Sequence, residues 1–533
     1  MILSHAAALT RELEPATASQ RQSAMAEAPQ THTSRSNIVF VEDFDSTNSL
    51  ARWLGLPKGM ALVSGPNGLA LSVSRTTNSE PRSVMTHTSL SAERLRGCKV
   101  RCEAQVRATN VAQPSNSWNG IKVMLHTESP SEGNRWDQQN NLFGTFDWRS
   151  IRFVTSIPED ATLVQLSLGL ENTSGQVLFD DVKVSVLRDP RDTPAVAAHT
   201  GPVFKGHGLP RLRGAMVAPG VSAESLRVLG EDWKANLIRW QLIRSVPPGK
   251  ETTLAEYDAW LDGELGKLDR LLPNCAQFGL RVVIDLHSPP GGTRTVSGYI
   301  GSDSGLFTNK AAQGKFVQVW QKMAQRYRDN STIWGFDLAN EPVEEGPGDD
   351  CDDWQTLATR AAQSIRALDE HHAIIVEPSP WGSPASIRNL APLPVEGIVY
   401  SVHMYVPFEF THQGIYGNAS GLNYPGILKG RPLDKAVLRR TFAPVLEFQR
   451  KNNVHIYIGE FSAIRWAPGA AHYLRDCIDL LEENGWDWSY HAFREWQGWS
   501  VEHGSDAADA RPATTVTDRQ RLLLEWFARN VRP

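Results

Sequence analysis

The chain has 533 residues, too many for one ordinary hydrophobic core, so two or more domains are expected. Hydrophobic residues make up 41% and charged residues 21%, the balance of a folded protein, and a net charge of -5 without any basic stripe argues against nucleic acid as a partner. No stretch approaches the roughly 20 apolar residues that a membrane-spanning helix needs, so no membrane partner is expected. Five cysteines, Cys98, Cys102, Cys275, Cys351 and Cys477, are an odd number with no zinc-type spacing. Cys98 and Cys102 fall in one expected strand, roughly 13 Å apart and too far to bridge, so a disulfide framework is not expected.

Residues 1–36 are rich in Ala, Ser, Thr and Gln and read as a disordered leader. "AMA" at 24–26 resembles a cleavage site, but no basic region precedes it and Arg11 and Glu12 cut the apolar run short. From 37 to 188 short alternating runs follow one another: "NIVFVEDF", "LALSVSR", "KVRCEAQVRA", "GIKVMLHT", "RSIRFVTS", "TLVQLSLGLE" and "QVLFDDVKVSV". With no helical period between them, they predict an all-β sandwich. "VEDFDS", "DWRSIRFVTSIPEDATLVQLSLGLE" and "VLFDDVKVSVL" resemble the jelly-roll, carbohydrate-binding-module-like domains that accompany carbohydrate-active enzymes. That resemblance implies an aromatic platform, for which Trp118, Trp136 and Trp148 are candidates, and a structural calcium site near Glu42 and Asp181.

Residues 189–204 are polar and proline-bearing and read as a linker. From 205 to 533 the rhythm changes to apolar runs separated by helical patterns: "LRGAMVA", "NLIRWQLI", "LRVVIDLH", "IWGFDLANE", "AIIVEPS", "GIVYSVHMY", "VHIYIGE" and "WDWSYHAF". The clearest helix covers 309–328, where Ala312, Phe316, Trp320, Met323 and Tyr327 recur every three or four residues. Eight such units predict a (β/α)₈ TIM barrel, whose C-terminal strand ends converge on one site. Arg239, His287, Asn340, Glu341, His403, Tyr405, Glu460 and His491 all fall at those ends. Two carboxylates there are what glycosidic cleavage needs, one giving a proton to the departing oxygen and one placing negative charge against an oxocarbenium-like carbon.

"DLHSPPGG", "LANEP", "SVHMY" and "YIGEFSAIRW", in this order, resemble glycoside hydrolase family 5, the cellulase family, over roughly 205–530. The resemblance implies Glu341 as general acid/base and Glu460 as nucleophile of a retaining enzyme. It implies Arg239 and Tyr405 beside the nucleophile, Asn340 on the sugar 2-hydroxyl, and His287 and His403 lining the cleavage subsite. Pro342 is expected to hold Glu341 in an extended backbone. Strand eight departs from the family pattern, with His491 near the position of the usual tryptophan floor and Trp496 as the candidate platform. Tyr299, Phe307, Phe408, Phe410, His412 and Tyr416 are candidate cleft walls. The expected substrate is an oligo- or polysaccharide, first a β-1,4-glucan cut internally. A β-1,3-glucan, a mannan, a glycoconjugate, transglycosylation, or a non-catalytic sugar-binding role stay open. No cofactor or catalytic metal is expected, a monomer is, and such a substrate points to an extracellular or periplasmic site.

Overall fold

Alternating apolar residues build the first ten strands of the computed structural model: β1 (Ile38–Glu42), β2 (Met60–Ser64), β3 (Leu69–Arg75), β4 (Ser83–Leu90), β5 (Lys99–Val111), β6 (Gly120–Ser129), β7 (Gly133–Gln138), β8 (Gly144–Ser156), β9 (Leu163–Glu171) and β10 (Gly175–Arg188). The structure describes residues 37–533 except 47, 56–58, 77–82, 117, 131–132, 190, 192–200, 245–252, 292–304, 345–347 and 349. The expected leader, most of the expected linker and Tyr299 lie outside the described residues.

The ten strands form two antiparallel sheets around one core. In the first, the order is β2-β3-β10-β5-β8, and the long β10 serves two partners on one edge, β3 from Gly175 and β1 up to Ser185. The second runs β4-β9-β6-β7. Period two sorts the faces: Ile121, Val123 and Leu125 of β6 enter the core with Val100, Val106, Leu166, Leu168 and Phe179, while Lys122, Met124 and His126 point the other way. β2, β4 and β7 were not among the expected runs. "SVMTHTSL" and "GNRWDQ" carry few aliphatic residues, and it is pairing with β9 and β6 that makes them strands.

The second half delivers all eight expected barrel strands: β11 (Arg213–Val217), β12 (Leu237–Gln241), β13 (Arg281–Asp285), β14 (Ile333–Asp337), β15 (Ala373–Val376) and β16 (Ile398–Met404), then, after a small hairpin of β17 (Gly426–Leu428) and β18 (Arg431–Leu433), β19 (His455–Phe461) and β20 (Asp487–Tyr490). They close as β11-β12-β13-β14-β15-β16-β19-β20, every pair parallel, with β11 returning to β20. The helix expected over 309–328 runs Lys310–Tyr327, capped by Asn309 accepting the N–H of Ala311 and Ala312, and its expected apolar face is the buried one.

Leu212, Trp334, Tyr457 and neighbours fill the barrel interior, with Phe204 and Leu209 packed against them. At the N-terminal end, His207 and His455 each donate Nε2–H to Asp487 Oδ2, at 2.7 and 2.6 Å, and Asp487 Oδ1 accepts the Leu212 N–H. This closes the end of the barrel opposite the candidate site, the face where buried polar groups serve stability. The five cysteines are all free, and no helix of the described residues is long and apolar enough to cross a membrane.

Candidate active site

Arg239, on β12, sits at the centre of the barrel mouth with none of its surface exposed. Its guanidinium faces four carboxylates: Asp285 at 3.1 Å, Asp337 at 2.9 Å, Glu377 at 2.9 Å and Glu460 at 2.7 Å. Nη1 and Nη2 also donate to Asn340 Oδ1, at 3.2 Å each. A planar fork of five donors suits such a ring of acceptors, where a lysine would reach one or two.

Glu460 is reached through β19, whose register against β16 shifts just before His403 so that His403 stands opposite Glu460. A side chain at Gly459 would lie 2.8 Å from His403 Nε2, so this close approach requires glycine. Glu460 Oε1 takes the Arg239 bond, and Oε2 accepts the Tyr405 hydroxyl at 2.8 Å with His491 Nδ1 at 3.4 Å. Tyr405 in turn accepts from His491 Nδ1. His491 Nε2 faces Glu495, 3.4 Å away, which Gln241 also holds.

Glu341 follows β14, which ends at Asp337. Its carboxylate meets His403 Nδ1 at 2.9 Å, and its N–H donates to Glu377 Oε2 at 2.8 Å. The extended backbone expected from Pro342 is not found: Glu341 has φ +43°, in the left-handed region. The reason is tertiary, since bonds to both ends of the residue hold a conformation that its own preference opposes. His403 bridges the acids, with Nε2 3.0 Å from Glu377. One oxygen each of Glu341 and Glu460 and a His403 nitrogen lie within 4.8 Å of one another.

The two glutamates titrate apart. Burial raises the Glu341 carboxyl, only partly offset by its bond from His403. Burial also opposes charge on Glu460, but His403, His491 and Arg239 outweigh it and hold that carboxylate well below the usual range. Burial disfavours charge on His403 too, yet Glu377 and Glu460 raise it well above an ordinary imidazole. Asp337 differs from Glu460: burial, with Glu377 and Asp285 alongside, outweighs Arg239 and raises its carboxyl well above the usual range.

His287 joins through Asp285, Nδ1 to Oδ2 at 2.8 Å. Trp496 stands apart: 39% exposed, it packs on Trp466 and Trp499, and it is Trp499 that lies against His491 and Tyr405. Of the expected cleft walls, Phe408 and Tyr416 are exposed and His412 is stacked under Phe408 at 3.9 Å. Phe307 and Phe410 are not walls but core, because each packs on a barrel helix: Phe307 against Trp354 of Trp354–Arg366, and Phe410 against Tyr424 and against Tyr473 of Ala470–Glu483. Sequence reasoning passed over Asp285, Asp337, Glu377, Glu495 and Trp381. The signal for Glu377 was present, since "IIVEP" ends an apolar strand in an acid and a proline as "DLANEP" does.

In the antiparallel sheets, Trp118 and Trp136 are 57% and 56% exposed, and Trp148 is half-buried. Trp136 lies parallel to His126, centroids 5.0 Å apart. Among the described residues, the groups of three metal-ligating side chains are the His207, His455, Asp487 cluster and the Glu341, His403, Glu460 cluster, and neither includes Glu42 or Asp181.

The model of the cellulase family, glycosyl hydrolase family 5, matches residues 200–496, a span that holds Arg239, Asn340, Glu341, His403, Tyr405, Glu460 and His491. Endoglucanase C of Acetivibrio thermocellus is 31% identical over 259 residues, covering 42% of this chain and 72% of that protein. A beta-xylosidase of Phanerodontia chrysosporium is 28% identical over 225 residues, 40% of this chain and 42% of that protein. Among solved structures, the endoglucanase of Thermotoga maritima aligns with a TM-score of 0.45 at 24% identity, covering 58% of this chain and 97% of that one. With more than half of its length matched, the chain belongs to glycosyl hydrolase family 5, the cellulase family, and is a glycoside hydrolase.

Proposed function

We propose that the enzyme cleaves internal bonds of a β-1,4-linked glucan with net retention, Glu341 serving as general acid/base and Glu460 as nucleophile. One observation carries this reading: one carboxylate oxygen of each glutamate lies within 4.8 Å of the other's, with their proton affinities pushed in opposite directions. A retaining pair stands about 5–5.5 Å apart, whereas an inverting pair needs roughly 6.5–9.5 Å for an intervening water.

In the first step the protonated Glu341 gives its proton to the departing glycosidic oxygen while Glu460 attacks the anomeric carbon. His403, His491 and Arg239 keep Glu460 anionic until it does, and the Tyr405 hydroxyl donates to it. Glu341, now charged and held by His403, then takes a proton from a water whose oxygen attacks the anomeric carbon, and the bond from that carbon to the Glu460 carboxylate breaks to release the sugar. Asn340 is turned by its bonds: its amide oxygen accepts from Arg239, so the buried Nδ2, without a partner, is offered to the sugar 2-hydroxyl. His287 supports the same subsite through Asp285, and His491 with Trp499 forms its far wall. Trp381, Phe408, Tyr416 and Trp496, all exposed, supply stacking faces for neighbouring sugars.

Residues 37–188 then form a jelly-roll, carbohydrate-binding-module-like domain joined by 189–204 to a catalytic barrel at 205–533. Two antiparallel sheets with their own core, and the exposed Trp136 backed by His126, support this. The substrate reading follows from likeness to endoglucanases. Product sizing on β-1,4-glucan, β-1,3-glucan and mannan tests it, and internal cleavage of only the latter two would replace it. For the mechanism, Glu460→Ala is expected to lose nearly all turnover and to regain it with azide, giving a glycosyl azide of inverted configuration. Near-full turnover without azide would remove Glu460 from its role.

A further inference from the structure

Lys99 opens β5 in the N-terminal sheets, yet its side chain is only 5% exposed and its ammonium lies among barrel residues. Nζ donates to Glu344, 2.8 Å to Oε2 and 3.2 Å to Oε1, and to Asp353 Oδ2 at 3.1 Å. These two acids are the two ends of one loop. Glu344 stands three residues after Glu341, and Asp353 caps the helix Trp354–Arg366 by accepting the Thr356 N–H. One cation from outside the barrel therefore clasps the loop that begins at the acid and ends at the next helix.

The clasp connects to the site by an unbroken set of bonds. Glu344 Oε1 accepts the Trp354 N–H at 3.0 Å, and the Trp354 indole donates to the Glu377 carbonyl at 2.7 Å. Glu377 Oε2 holds the Glu341 N–H. On the other side, the Glu344 N–H reaches Ser379 Oγ at 3.3 Å, two residues past Glu377. Glu341 keeps its left-handed backbone only because such contacts over-determine it. A lysine serving merely to hold two surfaces together has no need to be buried between the ends of a catalytic loop, where desolvation is costly.

We propose that Lys99 is a positioning residue for the reaction: through Glu344 and Asp353 it sets the placement of Glu341 for proton donation, so that the N-terminal sheets are a working part of the catalytic geometry. This rests on Glu341 being the acid. The test exploits the one task that an acid performs selectively. A 2,4-dinitrophenyl leaving group departs without a proton, whereas a phenyl leaving group needs one, and kcat/KM reports the step in which it leaves.

Full-length Lys99→Met, Glu344→Gln and Glu341→Ala are compared with the parent on phenyl and 2,4-dinitrophenyl β-glycosides of whichever sugar the parent turns over. Lys99→Met is expected to lower kcat/KM about 10- to 100-fold on the phenyl glycoside, the scale of misplacing a reacting group by about 1 Å, and less than about twofold on the dinitrophenyl glycoside. Glu344→Gln, which leaves Asp353 for Lys99 and keeps an acceptor for Trp354, should show the same pattern more weakly. If Lys99→Met does not fold, Glu344→Gln decides. A leaving-group-dependent loss in Glu341→Ala together with equal losses on both substrates, or none, in the Lys99 and Glu344 variants overturns the positioning role while leaving the acid in place. No leaving-group dependence in Glu341→Ala removes the acid assignment and the proposal with it.

Discussion

Replacing Arg239 by methionine removes the one guanidinium that faces Asp285, Asp337, Glu377 and Glu460 at 2.7–3.1 Å, all with side chains no more than 3% exposed. Deleting one partner of a buried ion pair costs about 3–5 kcal/mol, because the other charge stays buried without compensation. For a unit of roughly 330 residues, which unfolds with about 2.1 cal/mol/K of entropy per residue, that is a fall in Tm of roughly 4–7 °C. The cost has a pH signature. The orphaned carboxylates take up protons on folding, so the folded state binds more protons than the unfolded one and stability is lost as pH rises. Thermal unfolding of Arg239→Met followed at pH 5 and pH 8 should therefore show a larger deficit at pH 8. Arg239→Lys should fall between parent and Arg239→Met, since a single ammonium cannot span the ring of acceptors. A methionine variant within about 2 °C of the parent at both pH values would refute the account of Arg239 as the counter-ion of the cluster.

Activity should carry its own pH dependence. In the proposed mechanism Glu341 must be protonated to donate, and its carboxyl is raised by burial, so kcat/KM is expected to fall as pH rises through that raised value. Glu460 must be ionised and is held low, so the acid limb lies well below it, and Glu341→Gln should flatten the alkaline limb alone in a pH series of kcat/KM. On the N-terminal sheets, Trp136→Ala removes an exposed ring stacked on His126 and should weaken retention on insoluble β-glucan by about fivefold while turnover of a soluble oligosaccharide is unchanged. Unaltered retention would take the sugar-binding role away from that face.

Much of the barrel could be read directly. Each of its strands is a run of apolar residues buried on both faces, and each of "LANEP", "SVHMY" and "YIGEFSAIRW" places its polar residue just where such a run stops. Local patterns of this kind survive folding because strand period and strand ends are properties of a few consecutive residues. The strands with the weakest pattern, β4 and β7, were missed for the same reason: they owe their form to their partners. Glu377 carried the same signal as Glu341 and was passed over, because nothing in a linear run says which of several terminal acids will face a common centre.

What the chain alone determined is the class of fold in its second half and the meeting of Glu341, Glu460 and Arg239 at one end of the barrel, since a parallel barrel must gather its C-terminal strand ends whatever the details. Only the tertiary structure decided that Glu341 takes a left-handed backbone, that the Asp337 carboxyl is raised, that Trp499 rather than Trp496 lies beside His491, and that Lys99 reaches across to the loop after Glu341. Each of these depends on the balance of burial and charge among residues distant in the chain, and that balance does not exist until the barrel has closed.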